Sequence, residues 1–295
     1  LKRTYLPKMI AGDWSGTMCL TEAHSGTDLG ILKTRAEPQA DGSYAITGTK
    51  IFISAGEHDL TQNIVHLVLA RLPDAPAGTR GISLFVVPKF KPDANGDAGE
   101  RNGVVCGSIE HKMGIHASPT CVMHFNDSIG WLLGKPNEGL ACMFTMMNQA
   151  RLGVGLQGHG LSELAWQASI SYANDRLQGR AMSGVKEPGK AADPIIVHPD
   201  VRRMLLTQKA FVEGGRVLCF LTGREIDSAH LNPDPQARQA SNDLIAFLTP
   251  IVKGFLTEAA MEVTSLAVQI HGGHGFIRQT GVEQLMRDAR ITPIY

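Results

Sequence analysis

Cysteine is scarce in this 295-residue sequence, and the five cysteines are scattered without a C-x-x-C pair. An odd, scattered set is typical of reduced thiols in a protein core, and not of a disulfide framework or a zinc site. Such cysteine usage indicates a reducing compartment. We expect the bacterial cytoplasm in preference to the mitochondrial matrix.

Net charge is also absent, because 28 Lys and Arg residues balance 28 Asp and Glu residues. A neutral chain lacks the basic surplus typical of polyanion-binding proteins, so we expect no nucleic-acid partner. No apolar run reaches the roughly 18–20 residues that cross a bilayer, and we expect no membrane span. The chain begins with leucine, not methionine, which suggests an internal piece of a longer protein.

The sequence lacks the patterns of two common kinds of catalytic site, a zinc site and a serine nucleophile. His271 and His274 are separated by a glycine pair with no carboxylate nearby, and His111 and His116 lack the i, i+4 spacing of a helical zinc site. No serine lies in a G-x-S-x-G context. We therefore expect no metal site and no acyl transfer through serine.

The first half of the chain has the pattern of a β domain. Up to Gly134, short β-branched and aromatic runs alternate with turn residues, which is typical of strands in an antiparallel sheet or barrel. A stretch rich in Asp, Gly and Asn, residues 91–102, is predicted to be a loop. The predicted strands are residues 43–54, 64–70, 81–87, 106–110 and 120–125.

After Gly134 the apolar residues recur every three or four positions, as on the buried face of a helix. A cluster of glycines within the first helix would let another helix approach closely. A polar loop is predicted at 178–194, and Pro250 is predicted to kink its helix. The predicted helices are residues 140–176, 199–228, 236–270 and 281–290. The fold class is therefore α+β, a β domain at 17–134 followed by an α-helical bundle at 135–295.

Three motifs share a resemblance to one family. Residues 269–276 read Gln-Ile-His-Gly-Gly-His-Gly-Phe and are followed by Arg-Asp-Ala-Arg at 287–290. Residues 18–28 contain Thr-Glu-x-x-x-Gly-Thr, and residues 52–54 read Phe-Ile-Ser. This set closely resembles the acyl-CoA dehydrogenases, flavoproteins that remove two hydrogens from acyl thioesters. The long loop before Pro199 resembles a larger subgroup with an additional C-terminal region, which includes dehydrogenases for long-chain and methylthiopropanoyl thioesters.

The resemblance implies FAD as the cofactor and two groups of contacts. In the family, the first motif and the Phe-Ile-Ser segment face the flavin ring, and Phe and Ser stand here where Trp and Thr are usual. The diphosphate and adenosine contacts come from a neighbouring subunit, which implies a homo-oligomer, either a dimer or a tetramer. The implied FAD contacts are Cys19, Leu20, Thr21, Gly26, Thr27, Phe52, Ile53, Ser54, Arg176, Gln269, Gly272 and Gly273.

Taken alone, these motifs also fit ordinary structural roles. They match a strand end, a core strand with one polar residue, an arginine at a helix C-terminus and a glycine cap. The Arg287–Asp288 pair is interpreted as structural.

The resemblance also implies an acyl-CoA site with Thr27, Arg151 and Tyr295 on the substrate side. In the family the α-proton is removed by a glutamate, which occupies one of two alternative positions in the sequence. Ala150 occupies the first position and cannot accept a proton, so we expect the base directly after Tyr295, outside this sequence. The catalytic residue within the chain is therefore unassigned.

The resulting hypothesis is FAD-dependent α,β-dehydrogenation of an acyl-CoA, as in fatty acid β-oxidation, with hydride transfer to flavin N5. Electrons would pass to an electron-transferring flavoprotein. Two alternatives stay open: an acyl-CoA oxidase on the same fold, and a catalytically inactive flavin-binding relative. The resemblance also implies that residues 1–16 end a preceding helical domain. We expect the fragment alone to be inactive.

Overall fold

The computed structural model describes residues 1–295, which form two compact units. The first unit contains Leu1–Lys112 and His116–Met146, and the second contains Met113–Ile115 and Met147–Tyr295. The helices are α1 Lys2–Ala11, α2 Gly139–Asp175, α3 Pro199–Leu231, α4 Pro235–His271, α5 Gly273–Phe276 and α6 Val282–Ala289. The strands are β1 Trp14–Cys19, β2 Arg35–Pro38, β3 Tyr44–Ser54, β4 Asn63–Arg71, β5 Ile82–Pro88, β6 Phe90–Pro92, β7 Ala98–Arg101, β8 Val104–Ile109 and β9 Thr120–Leu133.

The first unit is built on a seven-stranded mixed sheet with the strand order β1-β4-β2-β3-β9-β5, to which β8 adds along β9. Since β5 pairs with both β4 and β9, the sheet curls round on itself. The five predicted strands are confirmed, but the antiparallel expectation is wrong for two pairs. β4 runs parallel to β1 and, at one residue pair, to β2. No turn residue links parallel strands directly, so local sequence gives no sign of them.

Burial explains why β5 is apolar at every position but Ser83. Each of its residues is buried, whereas β3 alternates between its two faces. The inward side chains of the sheet form one apolar core. Its fully enclosed members are Cys19, Ala36, Ile46, Val68, Ala70, Phe85, Val87, Val104, Cys121 and Met123.

The predicted loop at 91–102 is corrected by the structure. β6 and β7 pair there as a short antiparallel hairpin. The Asp93 side chain accepts hydrogen bonds from the backbone N–H groups of Asn95 and Asp97, and Gly96 adopts a φ of 82°. Asp and Gly therefore mark the hairpin turn itself, and the strands on either side were too short to recognise.

Four helices of the predicted bundle are confirmed, with ends within a few residues of the expected positions. Two of the four clustered glycines serve close helix contact. A Cβ atom on Gly155 would meet Val252 Cγ1 at 2.8 Å, and one on Gly158 would meet the Leu256 carbonyl oxygen at 2.9 Å. Gly153 and Gly160 face open space.

The helix α4 is long and apolar enough to cross a membrane by length and composition alone, and 39% of its most apolar window is buried. It packs in the bundle against α3, where Gln208 Nε2 donates to the carbonyl of Val263 over 2.9 Å. A core helix passes the same compositional test. The absence of a membrane span therefore stays an expectation.

Candidate functional site

Two segments of the first unit carry the residues predicted to face a flavin ring, Cys19–Thr21 and Phe52–Ser54. We call them the ring-side segments. The Ile51 N–H donates to the Thr21 carbonyl over 2.9 Å, so the two segments lie side by side although they are distant in sequence. The structure therefore places Thr21 and the Phe52–Ser54 segment in one region of the sheet.

The second ring-side segment has an unusual backbone. The β3–β9 register shifts between Lys50 and Ile53, which is the mark of a β-bulge. Phe52 lies within it at a φ of 60°, and the residue is 61% exposed. Left-handed backbone at a bulky residue is costly and clusters at functional sites. The bulge turns outward an aromatic ring that regular alternation would have buried.

Two hydroxyl groups accompany this ring. Ser54 is exposed and Thr21 is half-buried. Neither side chain makes a hydrogen bond within the chain. Hydroxyls can donate to ring oxygens and nitrogens, so these two are available to a ligand.

An ion pair that the sequence analysis missed lies beneath the ring-side segments. Lys50 Nζ lies 2.9 Å from Glu22 Oε1, and the two side chains are 0% and 4% exposed. The Glu22 carboxylate also accepts hydrogen bonds from Thr34 Oγ1 at 2.6 Å and from the Lys33 N–H at 2.7 Å. Burial raises the pKa of the Glu22 carboxyl, but Lys50 and Thr34 outweigh burial and hold that pKa below its usual range.

The first motif ends in a tight loop that presents Gly26 and Thr27 to solvent. Glu22 and Ser25 exchange two backbone hydrogen bonds of 2.9 and 3.0 Å across this loop. Ser25 Oγ then donates to the Asp28 carbonyl over 2.8 Å. A Cβ atom on Gly26 would have nothing within 4 Å, so a ligand can approach this backbone closely.

In the second unit, two helix ends carry the predicted diphosphate contacts. Tyr172, near the end of α2, stacks on His271 with ring centroids 4.3 Å apart. Its hydroxyl lies 3.1 Å from His274 Nδ1. These aromatic contacts bring the end of α2, with Arg176 beyond it, beside the end of α4.

The predicted contact residues at these ends are open to solvent. Arg176 is exposed and contacts no carboxylate within the chain. Gln269, Gly272 and Gly273 are exposed as well, and a Cβ atom on either glycine would have nothing within 4 Å. A guanidinium with no carboxylate partner is suited to a diphosphate.

Lys253 lies near Arg151, a predicted substrate-side residue of the second unit, and contacts Pro293, two residues before Tyr295. Its ammonium donates to the Pro293 carbonyl over 3.2 Å. Burial lowers the pKa of Lys253, and the nearby Arg151 charge lowers it further. The Tyr295 hydroxyl donates to Gln157 Oε1 over 2.9 Å. A single lysine within a long helix such as α4 gives no signal in the sequence, so sequence reasoning missed Lys253.

The Arg287–Asp288 pair makes the structural contacts expected of it. Asp288 Oδ1 accepts a 2.6 Å hydrogen bond from the Ile115 N–H, and Arg287 donates to the Met113 carbonyl over 2.8 Å. The pair therefore anchors the segment Met113–Ile115 within the second unit.

Comparison with known proteins identifies the family of this chain. Residues 17–128 match the model of the acyl-CoA dehydrogenase middle domain, and residues 137–295 match the C-terminal domain. The chain belongs to the acyl-CoA dehydrogenase family. It is 55% identical to the 3-methylmercaptopropionyl-CoA dehydrogenase of Ruegeria pomeroyi, over 100% of this chain and 49% of that protein.

Two solved structures resemble this acyl-CoA dehydrogenase chain. Butyryl-CoA dehydrogenase from Megasphaera elsdenii has a TM-score of 0.79 and 28% identity, and the match covers 100% of this chain and 67% of the other. A structure of the electron transferring flavoprotein of Acidaminococcus fermentans matches with a TM-score of 0.78 and 29% identity, over the same shares. The chain spans about half the length of the first curated relatives that it matches.

The acyl-CoA dehydrogenase family is FAD-dependent, and the residues of this chain fit that cofactor. On the ring side, an exposed aromatic ring and two unpartnered hydroxyls lie on neighbouring segments. On the diphosphate side, an exposed guanidinium lies near two glycines with open space around them. Each of the predicted contacts remains a prediction.

Proposed function

We propose that this chain is the flavin-binding portion of an acyl-CoA dehydrogenase that introduces an α,β double bond into an acyl-CoA thioester. One observation carries the proposal, the outward turn of Phe52 in its bulge beside the unpartnered hydroxyls of Thr21 and Ser54. FAD, when bound, supplies the hydride acceptor at its N5 atom.

The residues of the first unit bind and orient the flavin ring in this proposal. Phe52 packs against the ring face, and Ser54 and Thr21 donate hydrogen bonds to its polar edge. Cys19, Leu20 and Ile53 supply backbone contacts. Donors placed in advance where negative charge develops are each worth about 3–4 kcal/mol in related chemistry.

In the second unit, Arg176 pairs with the FAD diphosphate, and Gln269, Gly272 and Gly273 lie along its adenosine side. These contacts reach a neighbouring copy of the chain, so the proposed active form is a homo-oligomer.

On the substrate side, Thr27 contacts the CoA portion, and Arg151 and Tyr295 line the acyl portion. The α-proton requires a carboxylate, which we place after Tyr295 because the methyl side chain of Ala150 cannot accept a proton. A dry cleft raises the pKa of that carboxyl through desolvation and suits it to proton removal. An acyl-CoA and an electron-transferring flavoprotein are the proposed substrate and electron acceptor.

The test uses the full-length protein reconstituted with FAD. Anaerobic mixing with a panel of butyryl-, long-chain and 3-methylmercaptopropionyl-CoA is expected to bleach the flavin absorbance with at least one thioester. Reoxidation is expected to be fast with the electron-transferring flavoprotein and slow with air, and the reverse order would favour an oxidase. A protein that retains no flavin, or whose flavin is bleached by no thioester, would contradict the proposal. Residues 1–295 alone are expected to show no turnover.

A further inference from the structure

The Glu22–Lys50 ion pair is the most enclosed charged contact in the first unit, and the proposed function assigns it no role. Lys50 is fully buried and Glu22 is 4% exposed. Glu22 directly follows the first ring-side segment in the chain, and only Ile51 separates Lys50 from the second. The position of the pair, and not its charge alone, makes it a candidate for a functional role.

The contacts of Lys50 reach the first ring-side segment directly. Lys50 Nζ donates to the Leu20 carbonyl over 2.9 Å and to Glu22 Oε1 over the same distance. The Lys50 ammonium therefore fixes a backbone carbonyl of the first ring-side segment. Lys50 itself belongs to β3, the strand that carries the second ring-side segment. The Ile51 N–H, next along that strand, adds the bond to the Thr21 carbonyl.

The contacts of Glu22 extend this connection to a third segment. Its carboxylate accepts hydrogen bonds from the N–H groups of Lys33 and Thr34 and from the Thr34 hydroxyl, at 2.6–3.0 Å. The acceptors and donors of the pair are thus almost all used by the protein. A fully satisfied polar network of this kind rigidifies its surroundings.

Stability alone is a poor reason to bury such a pair. Burying two charges costs several kcal/mol per ion, and well-packed apolar residues of similar volume are often as stable or more stable. The bulge at Phe52 adds a further cost, since its φ of 60° is unfavourable for a bulky residue. Both costs fall on the same few residues, beside the proposed ring site.

We propose that Glu22 and Lys50 are positioning residues that hold the two ring-side segments in the geometry a flavin ring requires. This inference rests on the proposed function and deepens it. Neither residue contacts the ring in this proposal. Lys50 acts through its bond to the Leu20 carbonyl and through the bulge that begins directly after Lys50 in β3. Glu22 acts by fixing the Lys50 ammonium.

The experiment compares Glu22→Gln, Lys50→Met and the double variant in the full-length protein. Gln is isosteric with Glu, so Glu22→Gln removes the charge and keeps most hydrogen bonds. Lys50→Arg is the second variant at that position, because it keeps the charge but moves the donors. Asn102→Ala is the matched control, since Asn102 is a buried polar residue of the same unit whose side chain bonds only to residues 88, 103 and 129.

Three quantities are measured for each protein: the Kd for FAD, the visible spectrum of the bound flavin, and the Tm without cofactor. Glu22→Gln and Lys50→Arg are expected to raise the Kd roughly tenfold or more and to shift the flavin absorbance bands. The double variant is expected to recover part of the Tm lost by the single variants, but not the FAD affinity. Asn102→Ala is expected to lower the Tm with a Kd within about twofold of wild type.

The outcomes separate this inference from the proposed function. Wild-type protein that binds no FAD would overturn the proposed function itself. The positioning role alone would be overturned by a second outcome. In that outcome the wild-type protein binds FAD, and the Glu22 and Lys50 variants lose stability but keep the FAD affinity and flavin spectrum of the wild type. Arg176→Gln provides a comparison, because it is expected to weaken FAD binding without shifting the ring spectrum.

Discussion

Gly158 of α2 lies directly against the backbone of Leu256 in α4, where a Cβ atom would come within 2.9 Å of the carbonyl oxygen. Backbone cannot move aside as a side-chain end can, so Gly158→Ala should push the two helices apart. Overpacking of this kind costs about 1–3 kcal/mol, and the Tm is expected to fall.

The control for this substitution lies two residues away. Gly160 faces open space in the same helix, so Gly160→Ala should gain helix propensity of up to about 1 kcal/mol and raise the Tm. Thermal unfolding of both variants checks the pair. Equal shifts of the Tm in the two variants would contradict the close-contact interpretation.

Phe52→Gly tests whether the left-handed backbone at the bulge serves a ligand. Glycine adopts a φ of 60° without strain, so the Tm is expected to stay equal or rise. FAD affinity should fall, because the exposed ring is lost. Ala55→Gly relieves a similar φ of 52° without removing a ring, and it should leave FAD affinity unchanged. A drop in affinity for both variants would assign the effect to backbone freedom.

Because His66 is buried, we expect the protein to lose stability in mild acid. It is fully buried, with Nδ1 at 2.7 Å from Thr17 Oγ1, and burial lowers its pKa to about 3. The unfolded chain takes up a proton near pH 6.5 while the folded chain does not, so stability present above that pH is lost as the pH falls towards 3. The slope reaches at most about 1.4 kcal/mol per pH unit.

Urea unfolding at pH 7 and pH 5 measures this slope. His66→Gln is expected to flatten it relative to wild type, while His159 and His271, whose pKa values are also lowered, keep their share of the dependence. An unchanged slope in the variant would show that His66 does not account for the acid sensitivity.

Asp193 is predicted to order the loop that leads to α3. Its buried carboxylate accepts hydrogen bonds from the N–H groups of Ala181, Lys186 and Glu187, at 2.8–3.0 Å. Burial raises the pKa of Asp193, but these donors outweigh burial and lower it to about 2. The anchoring is therefore present above pH 4 and is lost as the pH falls towards 2.

Limited trypsin digestion tests this anchor at neutral pH. Asp193→Ala is expected to speed cleavage after Lys186 and Lys190, because the loop loses its central acceptor. Asp200→Ala removes an exposed partner of Arg203 and an acidic residue of the first turn of α3, outside the loop, and should leave the cleavage rate unchanged. Similar digestion of wild type and Asp193→Ala would show that the loop is ordered by other contacts.

The sequence by itself determined the type of almost every long element. A period of two over residues 43–54 and a period of three to four after residue 139 depend only on which side chains face the core. The motifs around Thr21 and Gly272 also indicate a flavoprotein family without any tertiary information. These features are local, and local patterns survive in a linear sequence.

Tertiary structure alone decided three other features: the parallel partners of β4, the burial of Lys50, and the outward turn of Phe52. If β3 alternated regularly, Phe52 would face inward with Ile46 and Lys50. The bulge before Ile53 interrupts this alternation, so that Ile53 faces inward and Phe52 outward. A charged residue is expected outside unless a partner is buried with it, and Glu22 lies 28 residues away in the chain. Pairing over such distances is fixed by packing and not by neighbouring residues, which is why the sequence carries no readable sign of it.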